Sequence, residues 1–154
     1  MRRASVVTVL GTAIALVLGA CSGGSGGSAP TTAWEAYEDL NAFLRETAQA
    51  VGVQDPSQDT ATPAVRACQR SQGGSGHQIP LAKVEGLVGE GGADVLTAVA
   101  ERWSEAGYEV SQTAGVVRAG GPDDGSLRAL YVAGGNMSLT GFTPCLAKAG
   151  TAPE

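Results

Sequence analysis

Two stretches of this chain space apolar residues at the three- and four-residue intervals of an amphipathic helix. In the first, Trp34, Tyr37, Leu40, Leu44, Thr47 and Val51 recur on one face with Phe43 beside them. Thr32-Ala33-Trp34-Glu35 opens this stretch as a capping box, with Thr32 at the N-cap and Glu35 at N3, and Gly52 stands where a left-handed C-terminal cap is expected. The second stretch opens at Ala93 or Asp94. Val95, Leu96, Val99, Trp103 and Ala106 line one face, Glu101, Arg102 and Glu105 fall on the others, and Gly107 follows as the stop.

The remaining segments read as extended or as turns. Val53 to Pro63 is rich in Asp, Gln, Ser, Thr and Pro, the composition of a loop. Ala64–Arg70 reads as a strand, Ser71–Gly76 as a Gly-Ser turn, and Gln78–Val88 as a second strand that Pro80 marks as an edge or irregular section. Tyr108–Thr113 and Gly115–Ala119 read as one extended run, kinked or bulged near Ala114-Gly115. Two further strands, Ser126–Ala133 and Met137–Thr143, are set off by the turns Gly121–Gly125 and Gly134-Gly135-Asn136. The order is helix, two strands, helix, three strands. Two helices with one apolar stripe each and a sheet with one apolar face satisfy each other as a two-layer α+β domain. The expectation is two helices on one face of a mainly antiparallel sheet of about five strands.

The N-terminus changes the picture. Arg2 and Arg3 precede the uncharged run Ala4–Val17, and Leu18-Gly19-Ala20-Cys21 closes it. Such a run is shorter than the roughly 20 residues that span a bilayer core, and its length and flanks are those of a signal peptide. Leu18-Gly19-Ala20-Cys21 resembles the lipobox of bacterial lipoproteins. That resemblance implies a diacylglyceryl group on Cys21, cleavage between Ala20 and Cys21, and often N-acylation of the new terminus. Two or more acyl chains anchor stably where one does not. The expected organisation is a signal peptide at 1–20, lipidated Cys21 and a Gly/Ser tether at 21–31, one domain at 32–148 and a tail at 149–154. A tether of this composition has a root-mean-square reach of roughly 17–19 Å, which holds the domain near the outer face of the cytoplasmic membrane.

The leader, the Arg102-Trp103 element running to Tyr108 and Val110, and the terminal Leu139-Thr140-Gly141-Phe142-Thr143-Pro144-Cys145 together look like small secreted lipoproteins of actinobacteria. The two lysines, Lys83 and Lys148, among abundant Ala, Gly and Val fit a GC-rich genome. The resemblance implies a tethered α/β domain with one disulfide and carries over no functional site beyond Cys21.

Charge sharpens the partner classes. The chain has 10 Lys and Arg against 15 Asp and Glu, and Arg2 and Arg3 leave with the leader. An acidic surface disfavours nucleic acid and anionic headgroups through like-charge repulsion. With Cys21 assigned to lipid, two cysteines remain, Cys68 and Cys145. An exported domain most simply pairs them, stabilising the fold by roughly 4–5 kcal/mol in the chain-entropy model. The rival reading, metal-ligating or redox thiols, has no CxxC and a single His to support it.

No catalytic set presents itself. His77 is the sole histidine and follows Gly73-Gly74-Ser75-Gly76, which lacks the Gly-Lys-Ser/Thr of a phosphate loop. No Gly-x-Ser-x-Gly elbow accompanies it, and such a His reads as a solvated loop residue. Asp123-Asp124 sits in a Pro-Gly turn and reads as turn chemistry rather than a calcium loop. No cofactor or metal is called for. Two functions of different class follow. The first is a non-enzymatic binding or interaction module, taking an envelope protein or a small hydrophobic ligand between sheet and helices. The second is a cell-envelope hydrolase or sensor-accessory protein with an unrecognised site.

Overall fold

A computed structural model describes residues 29–58, 62–89, 91–120, 125–132 and 134–152. Cys21, the cleavage position after Ala20, and the Asp123-Asp124 turn lie outside the described residues.

The first helix, α1 (Ala33–Ala50), begins at the expected cap. The Glu35 amide donates to Thr32 Oγ1 at 3.2 Å, and Glu35 Oε2 accepts from the Thr32 amide at 3.1 Å. Both amides would otherwise be orphans of the first turn. After Val51 the chain turns through Gly52 at φ +77, a left-handed conformation that glycine adopts without strain. The second helix, α2 (Gly92–Glu105), starts one residue ahead of Ala93 and stops before Gly107.

Among the described residues eight strands accompany the helices, against the expected sheet of about five. They are β1 (Gln54–Gln58), β2 (Arg66–Gln69), β3 (Ser75–Gln78), β4 (Ala82–Leu87), β5 (Glu109–Thr113), β6 (Val116–Gly120), β7 (Ser126–Val132) and β8 (Asn136–Phe142). Six form one antiparallel sheet in the order β1-β4-β8-β7-β6-β5, and β2 and β3 pair only with each other. The two-layer α+β expectation therefore holds at the level of class, with the strand count and order corrected in three places. The expected loop after α1 contains β1, a polar edge strand whose register shifts between Gln54 and Ser57 around Pro56. An edge tolerates proline because one side of the strand needs no ladder donor. The expected first strand is one arm of a separate hairpin, and its partner β3 occupies part of the expected Gly-Ser turn. The expected single strand before Gly121 is a hairpin in which Thr113 pairs with Val116 across the two-residue turn Ala114-Gly115.

Both helices lie on one face of the six-stranded sheet. Leu40, Leu44 and Ala48 of α1 and Leu96, Val99 and Trp103 of α2 form one buried cluster with Val84, Val117, Ala119, Leu127, Ala129, Met137 and Leu139. The strand members alternate along their strands, as a sheet buried on one face requires. Trp103 is fully buried, and its Nε1–H donates to Thr47 Oγ1 at 3.4 Å.

A second, smaller cluster lies where the β2–β3 hairpin meets the chain ends. Cys68 of β2 is bonded to Cys145, 77 residues away, with Cα atoms 6.0 Å apart. His77 and Leu146 exchange backbone hydrogen bonds at 2.7 and 2.9 Å, and the Ile79 amide donates to Thr143 Oγ1 at 2.9 Å. A Cβ at Gly76 would sit 2.7 Å from Leu146 O and 2.8 Å from Cys145 Sγ, so this close docking requires glycine. The segment then runs back to α1, where Lys148 O and Ala149 O accept from the Ala33 and Trp34 amides at 2.9 and 3.1 Å. Ala33, Trp34 and Ile79 are buried together beneath this junction.

Candidate functional site

Among the described residues, no helix covers the sheet face opposite α1 and α2. Alternation places Lys83 and Glu85 of β4, Ser138, Thr140 and Phe142 of β8, Ser126, Arg128 and Leu130 of β7, and Arg118 of β6 on that face. The register arranges them in cross-strand rows. One row runs Lys83, Thr140, Arg128, Arg118, Ser111. A neighbouring row, one pleat further on, contains Phe142, Ser126, Gly120 and Glu109. The four large apolar side chains that stand exposed among the described residues, Leu81 (48%), Leu87 (50%), Val132 (46%) and Phe142 (40%), lie on this face or at its end. Leu81 and Phe142 lie toward one end of the face, and Leu87 and Val132 share a row with Asn136 at the other.

A concavity of about 550 Å³ opens here, with Leu81, Phe142, Thr140, Arg128, Arg118 and Glu109 among its lining residues. The volume lies within the range of small-ligand sites, about 300–1,000 Å³. Its floor is continuous with the sheet, and at Gly120 a Cβ would meet nothing within 4 Å. The basic groups are disposed unequally. Lys83 Nζ is paired with Glu85 Oε2 at 2.8 Å. Among the described residues Arg118 and Arg128 have no carboxylate partner, although they stand directly opposite one another in the ladder. The hydroxyls of Ser111 and Thr140 donate to the carbonyls of Arg118 and Arg128, at 3.5 and 3.4 Å, and hold the rims of this row.

The residues singled out from sequence sit elsewhere. Cys68 and Cys145 form the disulfide. His77 lies in β3 with its backbone committed to Leu146, and among the described residues its ring has no hydrogen bond to a serine or an aspartate. Between helices and sheet, Trp103 belongs to the buried cluster and Tyr37 packs against it. Tyr37 is half-buried and meets Trp34 edge-on, the ring centroids 5.7 Å apart. Among the described residues no three His, Cys, Asp or Glu side chains cluster as metal ligands, and no helix is long and apolar enough to cross a membrane.

Arg118 and Arg128 escaped the sequence reading because each alone is an unremarked exposed arginine. One signal was available: both stand two residues from the ends of the hairpin, Gly120 and Ser126, so a symmetric hairpin brings them together. Compared with protein-family models, with curated proteins and with solved structures, the chain matches none.

Proposed function

We propose that this chain is a lipid-anchored extracytoplasmic binding module that presents the open face of its sheet to a ligand or an envelope partner. The anchor is acylated Cys21 at the outer face of the cytoplasmic membrane, joined to the domain by the Gly/Ser tether. The observation that carries the binding role is the open face itself. Exposed Leu81 and Phe142 flank a concavity that holds two opposed arginines, while the helices cover only the other side. An exposed apolar group beside convergent polar groups is the usual composition of a recognition site.

The test combines address with recognition. Full-length protein is expressed in its host with a C-terminal tag, alongside Cys21→Ala and an Arg118→Glu, Phe142→Ala double variant. The mature wild-type mass should carry acyl increments and begin at Cys21. Crosslinked membranes should yield a specific co-purifying molecule that both variants lose. A mature mass without acyl increment defeats the anchor, and a co-purifying set unchanged by the open-face variant defeats the binding surface.

A further inference from the structure

We infer that the open-face concavity binds a monomeric anionic amphiphile, a carboxylate or phosphate monoester with an aliphatic tail. Arg118 and Arg128 hold its head, and Leu81 and Phe142 hold its tail. The inference rests on the binding-module reading and names the ligand class that this surface fits.

The head group follows from charge and register. Arg118 and Arg128 are directly opposed across the β6–β7 ladder, a position where like charges destabilise a sheet. Their Cβ atoms are therefore about 4.5–5.5 Å apart, close enough for two guanidinium forks to share one oxyanion. Carboxylate and phosphate match that fork bidentately, and a bound anion turns the repulsion into two charge-assisted contacts. Lys83 in the same row is engaged with Glu85, so the arginine pair carries the uncompensated charge of the row among the described residues.

The tail follows from the neighbouring row. Phe142 lies two residues beyond Thr140 on β8, about 7 Å along the strand from the arginine row. Leu81 also lines the concavity. Between these apolar groups and β5 the row contains Ser126 and Gly120, which leave room for a chain to lie against the sheet. Glu109, paired with Gly120 and diagonal to Arg118, lines the concavity on the side away from Phe142, and its carboxylate repels any further negative charge beside the head. The acidic balance of the whole chain, 15 against 10, opposes polyanions and anionic surfaces by the same repulsion and favours a single small molecule.

The experiment uses purified full-length protein and titration calorimetry with four probes: decanoate below its micellar concentration, decanol, acetate, and vesicles of phosphatidylglycerol. Decanoate should bind, with decanol and acetate each weaker by about tenfold or more. Arg118→Gln and Arg128→Gln should each weaken decanoate by about tenfold or more, and Phe142→Ala should weaken it too. Arg66→Gln, on the β2–β3 hairpin, should leave it unchanged. Amide shifts on adding decanoate should map to β6, β7 and β8, which locates the site even where a variant is hard to prepare. Equal affinity for decanol and decanoate overturns the inference, as do unchanged affinity in both arginine variants and binding to the vesicles alone. Absence of decanoate binding while the membrane co-purification still depends on Arg118 and Phe142 overturns the ligand class and leaves the binding surface standing. Loss of both removes the two together.

Discussion

Arg118 and Arg128 face one another across the β6–β7 ladder on the sheet face opposite α1 and α2. A fold that holds two like charges in register on an exposed concave surface is carrying local repulsion that a ligand can relieve. Arg118→Thr should therefore stabilise the unliganded domain by about 0.2–1 kcal/mol. Urea unfolding at low ionic strength should show a raised midpoint, and molar salt should narrow the gap between variant and wild type through screening. A lowered midpoint at low salt would mean the pair is not strained.

Trp103 and Thr47 form a polar contact within the core, joining α2 to α1. Thr47→Val keeps the shape and strands the buried Trp103 N–H, at a cost of about 1–3 kcal/mol. In a Trp103→Phe background the same substitution should cost less, because the donor has gone as well. A double-mutant cycle by chemical denaturation measures the coupling, and additive effects would show that the hydroxyl carries no such role.

The disulfide fastens the β2–β3 hairpin to the segment after β8. Replacing Cys68 and Cys145 together with alanine should lower stability by about 2–5 kcal/mol. Amide exchange should accelerate first in Ser75–Gln78 and around Leu146, whose mutual hydrogen bonds depend on that docking. Uniform acceleration across the six-stranded sheet would instead make the hairpin part of the main cooperative unit.

Two groups give the domain a pH signature. The Glu35 carboxyl is held below its ordinary value of 4.5, chiefly by the Thr31 amide and then the Thr31 hydroxyl, with desolvation opposing them and smaller help from the amide and hydroxyl of Thr32. A depressed folded value contributes stability above the unfolded value, and that contribution is lost as pH falls through the folded one. Glu35→Gln, which keeps a capping-box side chain, should flatten the acid limb of the stability profile. Burial raises the Tyr108 phenol above 10.0, so stability is full below the unfolded value and lost as pH rises through the folded one. Phenolate absorbance should show a late-titrating component that Tyr108→Phe removes. A high-pH titration left unchanged by Tyr108→Phe would contradict the burial argument.

The parts of the fold legible in the sequence are those with local punctuation. The capping box at Thr32 and Glu35, the glycines after each helix, and the Gly-rich turns flanking β7 and β8 mark their elements without help from the rest of the chain. Strand β1 was not legible, since Gln-Asp-Pro-Ser-Gln has no apolar period and becomes a strand only by adding to the edge of β4. In the sequence, hairpin β2–β3 looks like part of the main sheet, because pairing partners are a tertiary choice, fixed here by the disulfide and the Leu146 contacts. The turn Ala114-Gly115 looks like a bulge, because both give a local break in one extended run. The open-face site depends wholly on register: a shift of one residue on β7 would send Arg128 to the core side.

Placement of a photo-crosslinking amino acid tests the open-face claim most directly. It is introduced at Thr140 on the open face, or at Glu101 on the exposed side of α2, in the full-length protein in its own membrane. Thr140 should give a discrete adduct that Arg118→Glu abolishes, and Glu101 should give none. Adducts from Glu101 with none from Thr140, or a Thr140 adduct indifferent to Arg118, would contradict the open-face claim.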